Sequence, residues 1–173
     1  MTRSALFDIV KSYDVRGLVD SQLTPTVAYA LGVAVAQQLD LAGKGFIVGH
    51  DMRPSSPELA RALEAGAAHA GATVRSIGLA STDMVYFASG TFNEAAAMIT
   101  ASHNPPEYNG IKFAKAGAQG VSLNTGLSGI RDRAEAWLTE GHTPEIPEAP
   151  SQVTDVLADY AAFVRGLVDL SDI

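Results

Sequence analysis

Ser102, His103 and Asn104 stand together in the run Thr100-Ala101-Ser102-His103-Asn104-Pro105-Pro106. A hydroxyl beside an imidazole could serve as a nucleophile or carry a transferred group. Three other segments hold residues of similar chemical reach: Tyr13-Asp14-Val15-Arg16-Gly17, His50-Asp51-Met52-Arg53 and Asn109-Gly110-Ile111-Lys112. Two cations and a histidine near a hydroxyl on a tight loop suit a phosphate site. Each residue also has a plain structural explanation. Ser102 could cap its loop. Asp14 and Arg16 could pair at the surface, where an ion pair is worth little. Asp51 could pair with Arg53 or cap a turn, Lys112 could be a solvated strand charge, and Asn109-Gly110 reads most simply as a hairpin turn. A Ser–His hydrolase dyad is disfavoured, because adjacent residues on extended chain point to opposite faces. The G-x-S-x-G elbow is also missing. His50, His69 and His142 lack metal-ligand spacing and read as surface or packing residues. There is no P-loop and no G-x-G-x-x-G nucleotide fingerprint.

The elements that must position these residues alternate between strands and helices. The wholly apolar stretch Ala95–Ile99 suits a strand buried on both faces of a parallel sheet. Asn104 and Pro105 force a turn directly after it. In open α/β sheets, ligands bind beyond the carboxyl ends of the strands, so Ser102 falls where chemistry is usually done. Thr24 and Pro25 start a helix that runs to about Leu39. Gly45-Phe46-Ile47-Val48-Gly49 is a short strand that delivers His50 to Arg53 to the same end of the sheet. Ser56-Pro57-Glu58 starts a second helix, with Ser56 as its cap, and Gly71 stops it. Strands are expected at 73–77, 95–100 and 111–114, and helices at 82–88 and 127–138. Part of 6–19 reads as a strand or extended arm, bent at Gly17. The pattern predicts a layered α/β/α domain with a mixed, mainly parallel sheet and right-handed crossovers.

The 173 residues are 47% hydrophobic and 18% charged, enough for a core and too apolar for broad disorder. A net charge of -7 argues against nucleic acid as a partner, since that affinity rests on Lys and Arg. An anionic small molecule needs only a few placed cations. The absence of cysteine excludes disulfides and thiolate metal sites. Asp8 interrupts the first apolar stretch, and the most apolar segment, 27–36, is about half a membrane span. The chain therefore reads as soluble and cytoplasmic, with no membrane partner. Pro144, Pro147 and Pro150 mark 141–151 as a linker. A last helix is expected at 154–168, with Val153, Leu157, Tyr160, Ala161, Val164, Leu167 and Val168 in one apolar stripe. The expected organisation is a domain at 1–140, then at 141–173 a linker and the first helix of a second domain. The other reading folds that helix back on the first domain.

The quoted motifs resemble those of the α-D-phosphohexomutases, which include phosphomannomutase and phosphoglucomutase. Thr100-Ala101-Ser102-His103-Asn104-Pro105 is similar to the family's active-serine loop, and Tyr13-Asp14-Val15-Arg16-Gly17 to its N-terminal signature. Gly49-His50-Asp51-Met52-Arg53 resembles its glycine-x-aspartate-x-arginine turn. The segment from Pro105 to Lys112 resembles the family's segment after the serine. Order and spacing agree from about Leu6 to Leu138. One departure is Ser81-Thr82-Asp83, where the family often has Pro-Thr-Pro.

The resemblance implies a four-domain enzyme of which this chain is similar to the first domain only. Ser102 would carry a phosphoryl group and pass it to a hexose phosphate (mannose or glucose), making a bisphosphate. That intermediate would turn over and return its other phosphate, moving phosphate between O1 and O6. Hexose 1,6-bisphosphate would act as activator. A Mg²⁺ would bind an oxygen of the phosphate on Ser102, its aspartate ligands lying in the second domain. Arg16 and Lys112 would supply cations, His103 a donor, and Lys112 also a proton-transfer group. Tyr13 and Asn104 would orient phosphate and substrate, and Asp51 and Arg53 would support the loop. The resemblance further implies that the remaining domains are partners and that this piece alone is inactive. The alternative is a non-catalytic phosphosugar-binding module of the same fold.

Overall fold

The computed structural model describes residues 5–148 and 153–169. Thr24 starts the most buried helix, α2 (Pro25–Gln38): its Oγ accepts the Val27 N–H at 3.2 Å and proline takes the first helical position. Ala28 to Ala36 are all buried. A helix apolar all round must be covered on several sides, and α2 packs against α3 (Ser56–His69) and α5 (Leu127–Thr139).

The sheet contains β1 (Val15–Leu18), β2 (Gly45–His50), β3 (Thr73–Leu79), β4 (Ala95–Ile99), β5 (Tyr108–Lys115) and β6 (Gln119–Gly120). Their order is β1-β5-β4-β2-β3, with β6 paired to β5. β3, β2 and β4 run parallel, whereas β5 is antiparallel to β4 and β1. Every residue of β4 is buried, as a central strand covered on both faces requires. Phe46, Val48, Ala97 and Ile99 face one core with α1 (Ala5–Ile9), α2, α3 and α5. Ile47, Ala96, Met98 and Ala114 face the other, beneath α4 (Thr82–Phe92). The result is a layered α/β/α fold on a mixed sheet with a parallel centre. The chain leaves β2 toward β3 on one side, while β4 leads to β5 on the other. The carboxyl ends of β2 and β4 lie at this divergence, the place where open α/β sheets bind ligands.

At the α2–α3 crossing the backbones touch. A Cβ on Gly66 would lie 2.0 Å from the Tyr29 carbonyl oxygen, and one on Gly32 would lie 2.2 Å from that of Leu63. Neither obstacle is a side chain that can swing away. Gly66→Ala is therefore expected to cost about 3 kcal/mol or more in urea unfolding. A loss under about 0.5 kcal/mol would mean that the helices separate freely, against close packing of interiors.

Glu64 on α3 is only 4% exposed, and its Oε2 has no hydrogen-bond partner among the described residues. Burial pushes its carboxyl up to about 7, with a Ser76 hydrogen bond and the Arg61 charge pulling the other way. The folded state thus binds this proton more tightly than the unfolded chain. The corresponding stability is fully present below about pH 4.5 and is lost as pH rises through about 7. Glu64→Gln should be more stable than wild type at pH 8 by up to about 3 kcal/mol. This difference should shrink toward pH 5. Urea midpoints at the two pH values check it, and a pH-independent difference would rule out a buried ionisation.

Several boundaries differ from those read in the sequence. Residues 5–9 are helical rather than extended, and Gly17 lies inside β1 rather than at a bend. A Cβ there would meet Ile9 Cγ2 at 2.8 Å, so α1 lies directly on the strand. Ser56 is the first residue of α3 and not its cap; its hydroxyl is bonded to Asp51 instead. α4 runs on to Phe92. Asn109-Gly110 is no turn: the pair is part of β5, opposite Gly17 and Arg16. A Cβ on Gly110 would lie 2.5 Å from the Val15 carbonyl oxygen and 2.7 Å from that of Thr100. The glycine is there because two strands press on it.

The last helix, α6 (Leu157–Gly166), is shorter than expected. Tyr160 and Phe163 contact the Phe87 ring of α4 at centroid distances of 5.6 and 5.2 Å. The Thr154 N–H donates to the Ser76 carbonyl at 2.8 Å, attaching the incoming segment to β3. Leu157, Val164, Leu167 and Val168 of the apolar stripe remain exposed. Residues 142–148 form neither helix nor strand, while 149–151 of the expected linker lie outside the described residues. Among the described residues, no helix is long and apolar enough to cross a membrane.

Candidate functional site

The chain leaves β4 into a tight turn. The Ser102 N–H donates to Thr100 Oγ1 at 2.9 Å, and the Asn104 N–H to the Ala101 carbonyl at 3.0 Å. Ser102 itself has φ +55°, in the left-handed region that a side chain adopts at a cost. A single guanidinium fastens this turn from behind. Arg53 Nη1 donates to the carbonyls of Pro105 (2.9 Å) and Tyr108 (3.0 Å). Its Nη2 donates to those of Ser102 (3.1 Å) and Asn104 (2.7 Å). The planar fork of arginine suits several fixed acceptors at once.

Arg53 is held in turn. Asp51 Oδ2 lies 3.4 Å from its Nε, and Asp51 Oδ1 accepts its backbone N–H at 3.0 Å. The same Oδ1 accepts the Ser56 hydroxyl at 2.6 Å. Asn109, fully buried, donates to the hydroxyls of Ser55 (2.8 Å) and Ser56 (2.9 Å), and its Oδ1 accepts the Gly110 N–H. The turn after β2, the start of α3 and β5 therefore share one satisfied network, the kind that rigidifies a site. Sequence reading takes Asn109 as a turn residue and Ser56 as a helix cap, and misses Ser55. Asn-Gly gives a local turn signal, and no local signal says that the amide will be buried.

Arg16 approaches from β1. Its Nη2 lies 2.6 Å from Asp14 Oδ2, and its Nη1 donates to Asn104 Oδ1. The two ion-paired side chains are only 22% and 15% exposed, so this is not a surface pair. Arg16 Nε is buried without a hydrogen-bond partner among the described residues. Ser102 Oγ lies 3.3 Å from His103 Nδ1. The expectation that these neighbours point apart fails because the turn is left-handed and not extended. No carboxylate among the described residues bonds His103, so the third member of a hydrolytic triad is missing.

Ser102, His103, Asn104, Arg16, Arg53 and Asp51 are thus linked through one turn, which carries the exposed Ser102. Tyr13 and Lys112 line a neighbouring cleft of about 320 Å³ that Ser102 does not line. Larger clefts of about 520 and 720 Å³ lie elsewhere, and neither includes a residue of the serine turn. The other histidines make local contacts at exposed or half-buried positions. His50 Nδ1 bonds the Asp51 carbonyl, and His69 and His142 stack on Tyr29 and Trp137. Among the described residues, no three His, Asp or Glu side chains gather as a metal site.

Residues 8–140 match the family model described as phosphoglucomutase/phosphomannomutase, alpha/beta/alpha domain I. Phosphohexose mutases of Xanthomonas campestris pv. campestris are 44% identical over 139 residues, covering 80% of this chain and 31% of that protein. A phosphomannomutase of Escherichia coli is 37% identical over 168 residues, covering 94% of this chain and 35% of that protein. A crystal structure of a phosphoglucomutase/phosphomannomutase family protein from Burkholderia thailandensis has a TM-score of 0.79 at 27% identity. It covers 99% of this chain, which covers 37% of it. The chain spans about a third of the length of these relatives.

Proposed function

Because the chain belongs to the phosphoglucomutase/phosphomannomutase family, as its α/β/α domain I, we propose that it carries the phosphoryl group of a hexose phosphate mutase on Ser102. The observation that supports this most directly is the exposed Ser102 hydroxyl on a turn fastened by the four carbonyl bonds of Arg53. A phosphoryl donor needs an accessible oxygen in a fixed position more than it needs covalent help.

In this reading, the phosphate on Ser102 is passed to a free hydroxyl, O1 or O6, of a hexose monophosphate. The P–Oγ bond breaks and a P–O bond to the sugar forms. The proton released by the sugar hydroxyl passes by way of Lys112, the proton-transfer group in this reading, and Ser102 Oγ takes one from His103, whose Nδ1 is 3.3 Å away. The reverse transfer, from the other position of the reoriented bisphosphate, regenerates the phosphoserine. A phosphoserine adds about -1.5 to -2 charges, which Arg16 and Lys112 offset, with His103 as a hydrogen-bond donor. The unpartnered Nε of Arg16 is a donor still to be satisfied. Asn104 and Tyr13 orient the phosphate and sugar, and Asp51 holds Arg53 in place. A Mg²⁺ would fit here through a phosphate oxygen on Ser102, neutralising charge on the transferred group; its other ligands belong to further domains. The 141–173 segment is then a linker and the first helix of the next domain, and this piece alone gives no turnover.

The test is to incubate the chain with glucose 1,6-bisphosphate and measure its intact mass and fragment spectra. One phosphoryl group on the peptide containing Ser102 is expected, with no isomerisation of glucose 1-phosphate above the blank. Hexose phosphate binding without phosphate on Ser102 would favour a non-catalytic binding module.

A further inference from the structure

We propose that the cleft between α4 and the β5–β6 hairpin is a subsite for the hydroxyls of the sugar ring, and that Tyr86 contacts the sugar there. This rests on the reading of Ser102 as a phosphoryl carrier for hexose phosphates. The cleft of about 320 Å³ is lined by Tyr13, Tyr86, Lys112 and Ser122, among others. That volume is at the small end of the range for small-molecule sites. Its lining offers three hydroxyls and one ammonium, and no carboxylate.

The tips of Tyr13, Tyr86 and Lys112 have no hydrogen-bond partner among the described residues, whereas Arg16, Lys44 and Arg75 are engaged by carboxylates. Three uncommitted polar tips in one cleft await a ligand that both donates and accepts. A phenol does both, as do the hydroxyls of a sugar. Tyr86 is also a rigid contact. It is half-buried on α4 and packed on the core beneath that helix, beside buried Val85 and Ala88.

The position relative to the serine turn follows from the sheet. Lys112 pairs with Met98 of β4, and two residues along β5 the Gly110 carbonyl accepts the Thr100 N–H at 2.9 Å. The cleft therefore adjoins the turn on the α4 side of the sheet. A hexose phosphate with its reacting oxygen at Ser102 can extend its ring toward Tyr86. α4 is then a wall of the sugar site as well as the crossover between β3 and β4.

The test uses this chain, ¹⁵N-labelled, titrated separately with glucose 6-phosphate and with inorganic phosphate. Glucose 6-phosphate is expected to shift the amides of Tyr86, Lys112 and Ser122 as well as Ser102. Inorganic phosphate is expected to shift the serine turn only. Tyr86→Phe keeps the ring and removes one hydrogen bond. It should weaken glucose 6-phosphate about fivefold and leave inorganic phosphate unchanged. No shift at Tyr86 and Ser122, or an equal loss for both ligands, overturns the subsite. Failure of Ser102 to accept phosphate, with the Tyr86 effect intact, would overturn the phosphoryl-carrier reading and leave the subsite standing.

Discussion

Ser102→Ala should take up no phosphate from glucose 1,6-bisphosphate, a fall of more than about a hundredfold against wild type. The reason is that one atom, Oγ, is the acceptor, and nothing adjacent replaces it on that turn. His103 Nδ1 is 3.3 Å away and held by the same turn, but it is placed to exchange a proton with Oγ. The folded state should survive the change. Ser102 is exposed, and the carbonyl bonds that hold the turn come from its backbone and not its side chain. A melting temperature near that of wild type therefore accompanies the expected loss. Equal phosphate incorporation in the two proteins would sink the assignment of Ser102.

Arg53→Lys is expected to slow phosphate uptake at Ser102 by about ten- to a hundredfold, nearly as much as Arg53→Ala. Arg53 donates to four carbonyls at 2.7 to 3.1 Å from two nitrogens in one plane. A lysine ammonium keeps the charge and loses the fork. It can hold at most part of that set, so the turn is freed to relax from φ +55° at Ser102. Both variants should also lose about 1–3 kcal/mol of stability, because carbonyls and the Asp51 carboxylate lose a partner. The comparison separates geometry from charge. Full rescue by lysine would mean that Arg53 acts through its charge on the phosphate, and the positioning role would be wrong.

Much of the fold can be read locally. Ala95–Ile99 is apolar without interruption because it is a central parallel strand, and Thr24-Pro25 starts α2 through side-chain and backbone features of those two residues. Other readings are local and fail for that reason. Asn109-Gly110 carries a turn signal, but β5 runs through it because the amide finds Ser55 and Ser56, more than 50 residues away. The Ser102–His103 contact escapes a reading that assumes extended backbone where the turn is left-handed. Tyr86 carries no signal at all, since a tyrosine on an amphipathic helix looks the same whether it faces a cleft or solvent.

The sequence by itself determined the alternation of strands and helices, the loops that fall at strand ends and the chemical groups those loops carry. These follow from periodicity and from turn residues, which act over a few positions. Only the tertiary structure decided which loops meet. Arg53 reaches carbonyls 49 to 55 residues away because β2 and β4 are neighbours in the sheet, although β3 separates them in the chain. Strand order is a property of how whole layers pack, and no short stretch of residues encodes it.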